Sequence, residues 1–163
     1  MLKSLNVLKM KNLKNLGLAV VTLMLAMSVA MAGEGDKKAA KNAEKGIQFT
    51  EGKWADLLKL AKKENKLIFL DAYTTWCGPC KLLQKNVFTR DDVASTFNGN
   101  FINVKIDMES GEGPALTKKY PIEGYPTLFF INGKGKVVKQ LLGYQQPAEL
   151  IKAAKAVQKG PAI

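Results

Sequence analysis

TTWCGPCK, residues 74–81, holds both cysteines of the chain, two residues apart and directly after a tryptophan. How these eight residues are read decides the chemistry and, through it, the fold. Structural zinc takes four Cys or His ligands, and catalytic zinc takes three from the protein. With two cysteines and no histidine in 163 residues, a metal site would need several carboxylates or a second subunit, so no metal is expected. A structural staple is a poor alternative, because a disulfide closing so small a loop removes little entropy from the unfolded chain. Gly78 and Pro79, between the cysteines, point elsewhere. Proline is favoured in the first turn of a helix, and a helix N-terminus presents free N–H groups and a partial positive charge that stabilise a thiolate over a thiol. Cys77 stands at that mouth and Cys80 a turn further in, the arrangement of a nucleophile and a resolving partner. The motif reads as a redox pair.

Outward from the motif, apolar patterns alternate between strand and helix. KLIFLDAY (66–73) has the length and flanks of a buried strand, and a helix is expected over the second half of WCGPCKLLQKNVF (76–88). Upstream, IQF (47–49) is strand-like, and Thr50 can cap a helix whose Trp54, Leu57, Leu58 and Ala61 form one apolar stripe. Downstream, TRDDVASTF (89–97) continues the helix or forms a second one capped by Thr89, FINVKID (101–107) is a strand, and GPALTKKY (113–120) is a short helix starting with Pro114. PTLFFI, NGKG and KVVKQLL (126–142) form a β-hairpin, with Asn132-Gly133 as its strongest local signal. A last helix from Pro147 turns Leu150, Ile151, Ala154 and Val157 inward. There is no internal repeat. The pattern predicts an α/β fold with a mixed sheet covered on both faces.

These landmarks stand in the order of a known family. WCGPCK resembles the active-site signature of the thioredoxin superfamily, and DAYTTWC places Asp71 six residues before the first cysteine, where that family has a buried acid. GYPTLFF matches the family's cis-proline loop with Pro126, and Gly143 corresponds to the glycine after the hairpin's second strand. The resemblance spans Ile47 to Val157. More narrowly, KNVFTRDDVASTFNGNFINVKIDM (85–108) resembles exported thioredoxin-like domains that relay electrons outside the cytoplasm, including the C-terminal domain of the transmembrane thiol reductase.

The resemblance implies a thioredoxin fold, a central mixed β-sheet with helices on both faces, and a protein-disulfide oxidoreductase that uses no cofactor. Cys77 would attack a client disulfide and Cys80 would resolve the mixed disulfide, closing a redox-active Cys77–Cys80 pair. Asp71, if buried beneath the pair, would have a raised pKa and shuttle the proton that Cys80 must lose. Pro126, joined to Tyr125 by a cis peptide, would shape a groove for the partner's extended backbone, and Trp76 would shield the cysteines and contact partners. Plainer readings are an acid capping a turn, a proline starting a strand and an aromatic packed for its own sake. Two departures stand out: Tyr125 occupies a position where smaller side chains are common, and Asn103 stands where many thioredoxins carry a buried lysine, with Lys105 two residues on.

The chain divides into residues 1–32, 33–46 and 47–160. Lys3, Lys9, Lys11 and Lys14 precede the apolar run LGLAVVTLMLAMSVAMAG (16–33), which ends in Ala30-Met31-Ala32. That is the pattern of a signal peptide cleaved before Gly33; the alternative is an N-terminal membrane anchor, for which the run is marginally short. No cysteine stands at the cleavage site to carry a lipid. Residues 33–46 lack any large apolar side chain and read as a flexible spacer. Removing the four leader lysines from 25 Lys and Arg leaves 21 against 14 acids, a mature charge of +7. The lysines are spread over helix faces and the tail, so the charge serves solubility and no nucleic acid is expected.

An exported, periplasmic or otherwise extracytoplasmic, monomeric protein is therefore expected, meeting the membrane only through an uncleaved leader. Its partners would be disulfide-bearing client proteins and a membrane-associated thiol donor. Gly78-Pro79 resembles the reducing members of the family, so a reductant or electron relay is favoured over a disulfide-forming oxidant or isomerase, or over a non-catalytic binding module.

Overall fold

A computed structural model describes residues 45–158. The expected signal peptide and all but the last two residues of the expected spacer lie outside the described residues. The strand expected before the cysteines, β1 (Leu67–Tyr73), is buried at every position except the half-buried Tyr73. Its continuous apolar run follows from its place in the sheet. It pairs in parallel with β2 (Phe101–Asp107) and antiparallel with β3 (Thr127–Ile131), and both of its faces are covered by helices. β4 (Val137–Leu142) completes the order β2-β1-β3-β4. As an edge strand it alternates half-buried and exposed residues.

Side chains alternate across a strand, so β1 feeds two cores. Leu67 and Phe69 face a core built with Leu83 of α2 (Gly78–Asn86), Phe97 of α3 (Asp91–Phe97), Phe101, Phe130 and Leu150 of α5 (Pro147–Gln158). Phe69 is its hub, with ring centroids 4.6 Å from Phe97 and 5.4 Å from Phe130. Ile68, Leu70 and Ala72 face the second core, with Trp54, Leu57 and Ala61 of α1 (Trp54–Glu64), Leu116 of α4 (Gly113–Lys119), Tyr120 and Phe129. Asp71 shares the parity of Leu67 and Phe69, which turns its carboxyl toward the α2 side.

Three local expectations are corrected. IQF is extended but joins no sheet: Ile47 N–H donates to the Phe88 carbonyl and Thr50 N–H to the Asn103 carbonyl, each at 2.7 Å. Thr50 caps no helix. Lys53 is the N-cap of α1 without a side-chain bond, and the Trp54 N–H is taken by Glu112 Oε2 at 2.8 Å, a partner 58 residues away. Thr89 likewise closes α2, its hydroxyl donating to the Lys85 carbonyl at 2.6 Å. Arg90 is the N-cap of α3, where the Asp92 carboxylate accepts the Val93 N–H. The hairpin expected over 126–142 forms, β3 pairing antiparallel with β4, and neither Asn132 nor Gly133 takes a positive φ in its turn. Asn132 Oδ1 accepts the N–H groups of Lys134 and Lys136 instead, and Gly135, at φ +77°, makes the left-handed step.

Candidate redox site

β1 delivers Asp71 to the interior, Thr74 after it is still buried, Thr75 and Trp76 reach the surface, and α2 begins at once. Cys77, extended at φ −69° and ψ 109°, is its N-cap, with Pro79 in the first turn. The Cys80 N–H donates to Cys77 Sγ at 3.1 Å, so the first cysteine already occupies the place where a helix N-terminus favours negative charge. The two sulfurs form a disulfide, with Cα atoms 5.3 Å apart. Cys77 is 3% and Cys80 1% exposed. An added Cβ at Gly78 would meet nothing within 4 Å, so the surface beside Cys77 is open.

Trp76 stands over this turn, 64% exposed. Its indole N–H donates to Glu109 Oε2 at 2.9 Å, and its ring meets that of Tyr125 edge-on at 5.9 Å. The Tyr125–Pro126 peptide is cis. Pro126 is buried, and its carbonyl accepts the N–H of Gly143, which has φ +79°. The contact between Trp76 and Tyr125 thus brings the proline loop to the cysteine turn. Burial pushes the Tyr125 hydroxyl above its ordinary pKa, and the carboxylates of Glu109 and Asp107 push it further the same way.

Asp71 is fully enclosed. Burial raises its pKa from 3.8 to about 7, against the opposing pull of a Gln84 hydrogen bond and the charge of Lys105. Gln84 Nε2 donates to Asp71 Oδ2 at 3.4 Å, while Oδ1 has no hydrogen-bond partner. Lys105 lies opposite Asp71 in the β1–β2 register, its ammonium 5.5 Å from the centre of the Phe49 ring. Asn103 is buried, but its amide donates to the Gln48 carbonyl and to Asn98 Oδ1, bracing the 47–50 segment.

The structure therefore gathers Trp76, Cys77, Gly78, Pro79, Cys80, Tyr125 and Pro126 in one region, with Trp76, Gly78 and Pro79 exposed, the cysteines and Pro126 buried, and Asp71 inside. Two residues that the sequence reading missed join them. Gln84 had a signal, being a polar residue one turn beyond Cys80 on the same helix face. Glu109 had none, since it reaches Trp76 across 33 residues. A groove of about 980 Å³ beside Arg90 and the start of α5 contains none of these residues. Among the described residues no cluster could hold a metal ion, and no helix is long and apolar enough to cross a membrane.

The thioredoxin-like domain family matches residues 54–158. The chain is 35% identical over 94 residues to Thioredoxin H4 of Arabidopsis thaliana, covering 58% of this chain and 74% of that one. It is 29% identical over 80 residues to thiol:disulfide interchange protein DsbD 2 of Pseudomonas aeruginosa, covering 48% of this chain and 14% of that protein. A solution structure from Bacteroides thetaiotaomicron, of a protein provisionally described as a disulphide-isomerase, is 47% identical, with a TM-score of 0.64 over 74% of this chain and 100% of that one.

Proposed function

Because this chain belongs to the thioredoxin-like domain family and is a thiol–disulfide oxidoreductase, we propose that it is an exported reductant or electron relay working through Cys77 and Cys80. The observation that carries this reading is the Cys77–Cys80 disulfide at the mouth of α2, with the enclosed carboxyl of Asp71 bonded to Gln84 of the same helix. In the reduced protein Cys77 is a thiolate stabilised by the helix N-terminus. It attacks one sulfur of a client disulfide, and the other client sulfur leaves as a thiolate. Cys80 gives its proton to Asp71 and attacks Cys77, which closes the intramolecular disulfide and frees the second client sulfur. Two electrons pass to the client, and an external, membrane-associated dithiol must restore them.

Trp76, Tyr125 and Pro126 hold the client's extended backbone beside Cys77. Gly78-Pro79 supports a low potential, near the thioredoxin value of about −270 mV. Export rests on the leader, residues 1–32, and the similarity to a DsbD protein agrees with an extracytoplasmic site of action. Residues 33–46 act as a spacer before the domain.

A second reading, a disulfide-forming oxidant or isomerase, is favoured by the description of the Bacteroides protein. Equilibration with glutathione and with a thioredoxin separates the two. A potential near about −270 mV supports the reductant, whereas one above the roughly −180 mV of protein disulfide isomerase assigns the second reading. Cys80→Ser, expressed in cells, should trap client proteins as mixed disulfides through Cys77. If it traps none, the site is a binding surface without turnover.

A further inference from the structure

We infer that Gln84 is a positioning residue that fixes which oxygen of Asp71 takes the Cys80 proton and how readily it does so, an inference that rests on the role proposed above for Asp71. Asp71 is sealed from water, with Oδ2 held by the Gln84 amide and Oδ1 bare. Of the two carboxyl oxygens, Oδ1 is the one without a partner and so the one assigned to the incoming proton. Gln84 follows Cys80 by four residues on α2, and residues so spaced lie about 5–6 Å apart on one helix face. The acid that meets Gln84 therefore lies on the side of α2 that carries Cys80.

The residue type matters as much as the place. An amide supplies an N–H that favours the ionised carboxylate, and adds no charge and no second proton-binding group. A glutamate there would compete for the same proton, and a leucine would strip Oδ2 of its partner. The other groups facing Asp71 are few. Lys105 on β2 acts in the same direction as Gln84, while Tyr73 on β1 is raised chiefly by its own burial and, to a lesser degree, by the charges of Asp107 and Asp71. β3 places the uncharged Leu128 opposite, and α2 adds Cys80 itself. Burial outweighs both opposing influences, so Asp71 titrates near 7.

The resolving step balances as follows. The Cys80 S–H proton moves to Asp71 Oδ1, and the thiolate attacks Cys77 Sγ in the mixed disulfide. The Cys77–Cys80 bond forms, the bond from Cys77 to the client breaks, and the electron pair leaves on the client sulfur. That sulfur is protonated from solvent as Asp71 returns its proton.

Stopped-flow mixing of the reduced protein with an aromatic disulfide that releases a coloured thiolate at each step separates attack by Cys77 from resolution by Cys80. The second phase should accelerate with pH through an ionisation at about 7. Gln84→Leu should raise that ionisation by about one pH unit, a roughly tenfold slowing on its acid side that fades above it, and leave the first phase unmoved. Gln84→Glu, which keeps the side-chain volume, should raise it at least as far and split it into two steps. Asp71→Asn should abolish the ionisation, and Gln84→Leu added to it should change nothing more. Gln84 variants whose second phase keeps the unaltered pH profile, or is slowed equally at every pH, overturn the inference and leave the role of Asp71 standing. An Asp71→Asn protein with the unaltered profile overturns both. Should the leucine variant fail to fold, the glutamate variant decides alone.

Discussion

At Asp71, burial holds the proton on the folded protein while the unfolded chain gives it up. Between pH 3.8 and about 7 the unfolded state alone ionises, so stability falls as pH rises through this window and the deficit is complete above it. Asp71→Asn removes the deficit. Its Tm should exceed that of the unaltered protein by several degrees above pH 7, with the difference shrinking toward zero as the pH falls to 3.8. A difference that is absent, or that grows toward acid, would mean that the carboxyl is not enclosed in solution. The positions of Asp71 and the cysteines were legible from their spacing within DAYTTWCGPC, and that of Pro126 from the likeness of GYPTLFF to the family's cis-proline loop. Glu109 was not, because its meaning lies in the indole that it meets across space. Asn103 was singled out by its place in the chain, but what its amide does, bracing Gln48 and Asn98, depends on a segment 55 residues away.

Among the elements, the strands were readable wherever burial on both faces made the sequence continuously apolar, as in β1 and β3. The starts of α2, α4 and α5 were marked by their prolines, but that of α1 was not, since the group that satisfies it comes from elsewhere: Thr50 offers the local cap, but Glu112 supplies the acceptor. The hairpin makes the same point. Asn132-Gly133 marked a turn correctly but not its geometry, because Gly133 is needed for closeness. A Cβ there would lie 2.9 Å from the Lys62 backbone of α1, whereas at Gly99 it would meet nothing within 4 Å. Gly133→Ala should therefore lower the unfolding free energy by about 1–3 kcal/mol, and Gly99→Ala by almost nothing, as read from urea midpoints at constant slope. Equal effects at the two positions would show that the turn does not rest on α1.

For the molecule as a whole, the alternation of strand and helix announced a covered sheet, but nothing in it told which strands, here β2 and β4, lie at its edges. The leader belongs to this scale too. Expressed in a bacterium with a periplasm, the full chain should be recovered there with Gly33 as its first residue, by N-terminal sequencing. An unprocessed chain in the membrane fraction would favour the anchor, and a cytoplasmic one would exclude export. Export would also place the pair where disulfides persist by default, which is why a dedicated donor is needed. One segment of the domain, from Asp107 to Gly113, serves two places at once. Glu109 holds the indole over the cysteines, Glu112 holds the first N–H of α1, and a side chain at Gly113 would overlap the Asp107 carbonyl. A substitution at Glu109 or Glu112 removes one of these bonds and leaves the other, but an inserted residue would change the spacing between the two glutamates. Its length is a ruler shared by the two tryptophans of the chain, and a change of length there is the edit this protein is least able to accept.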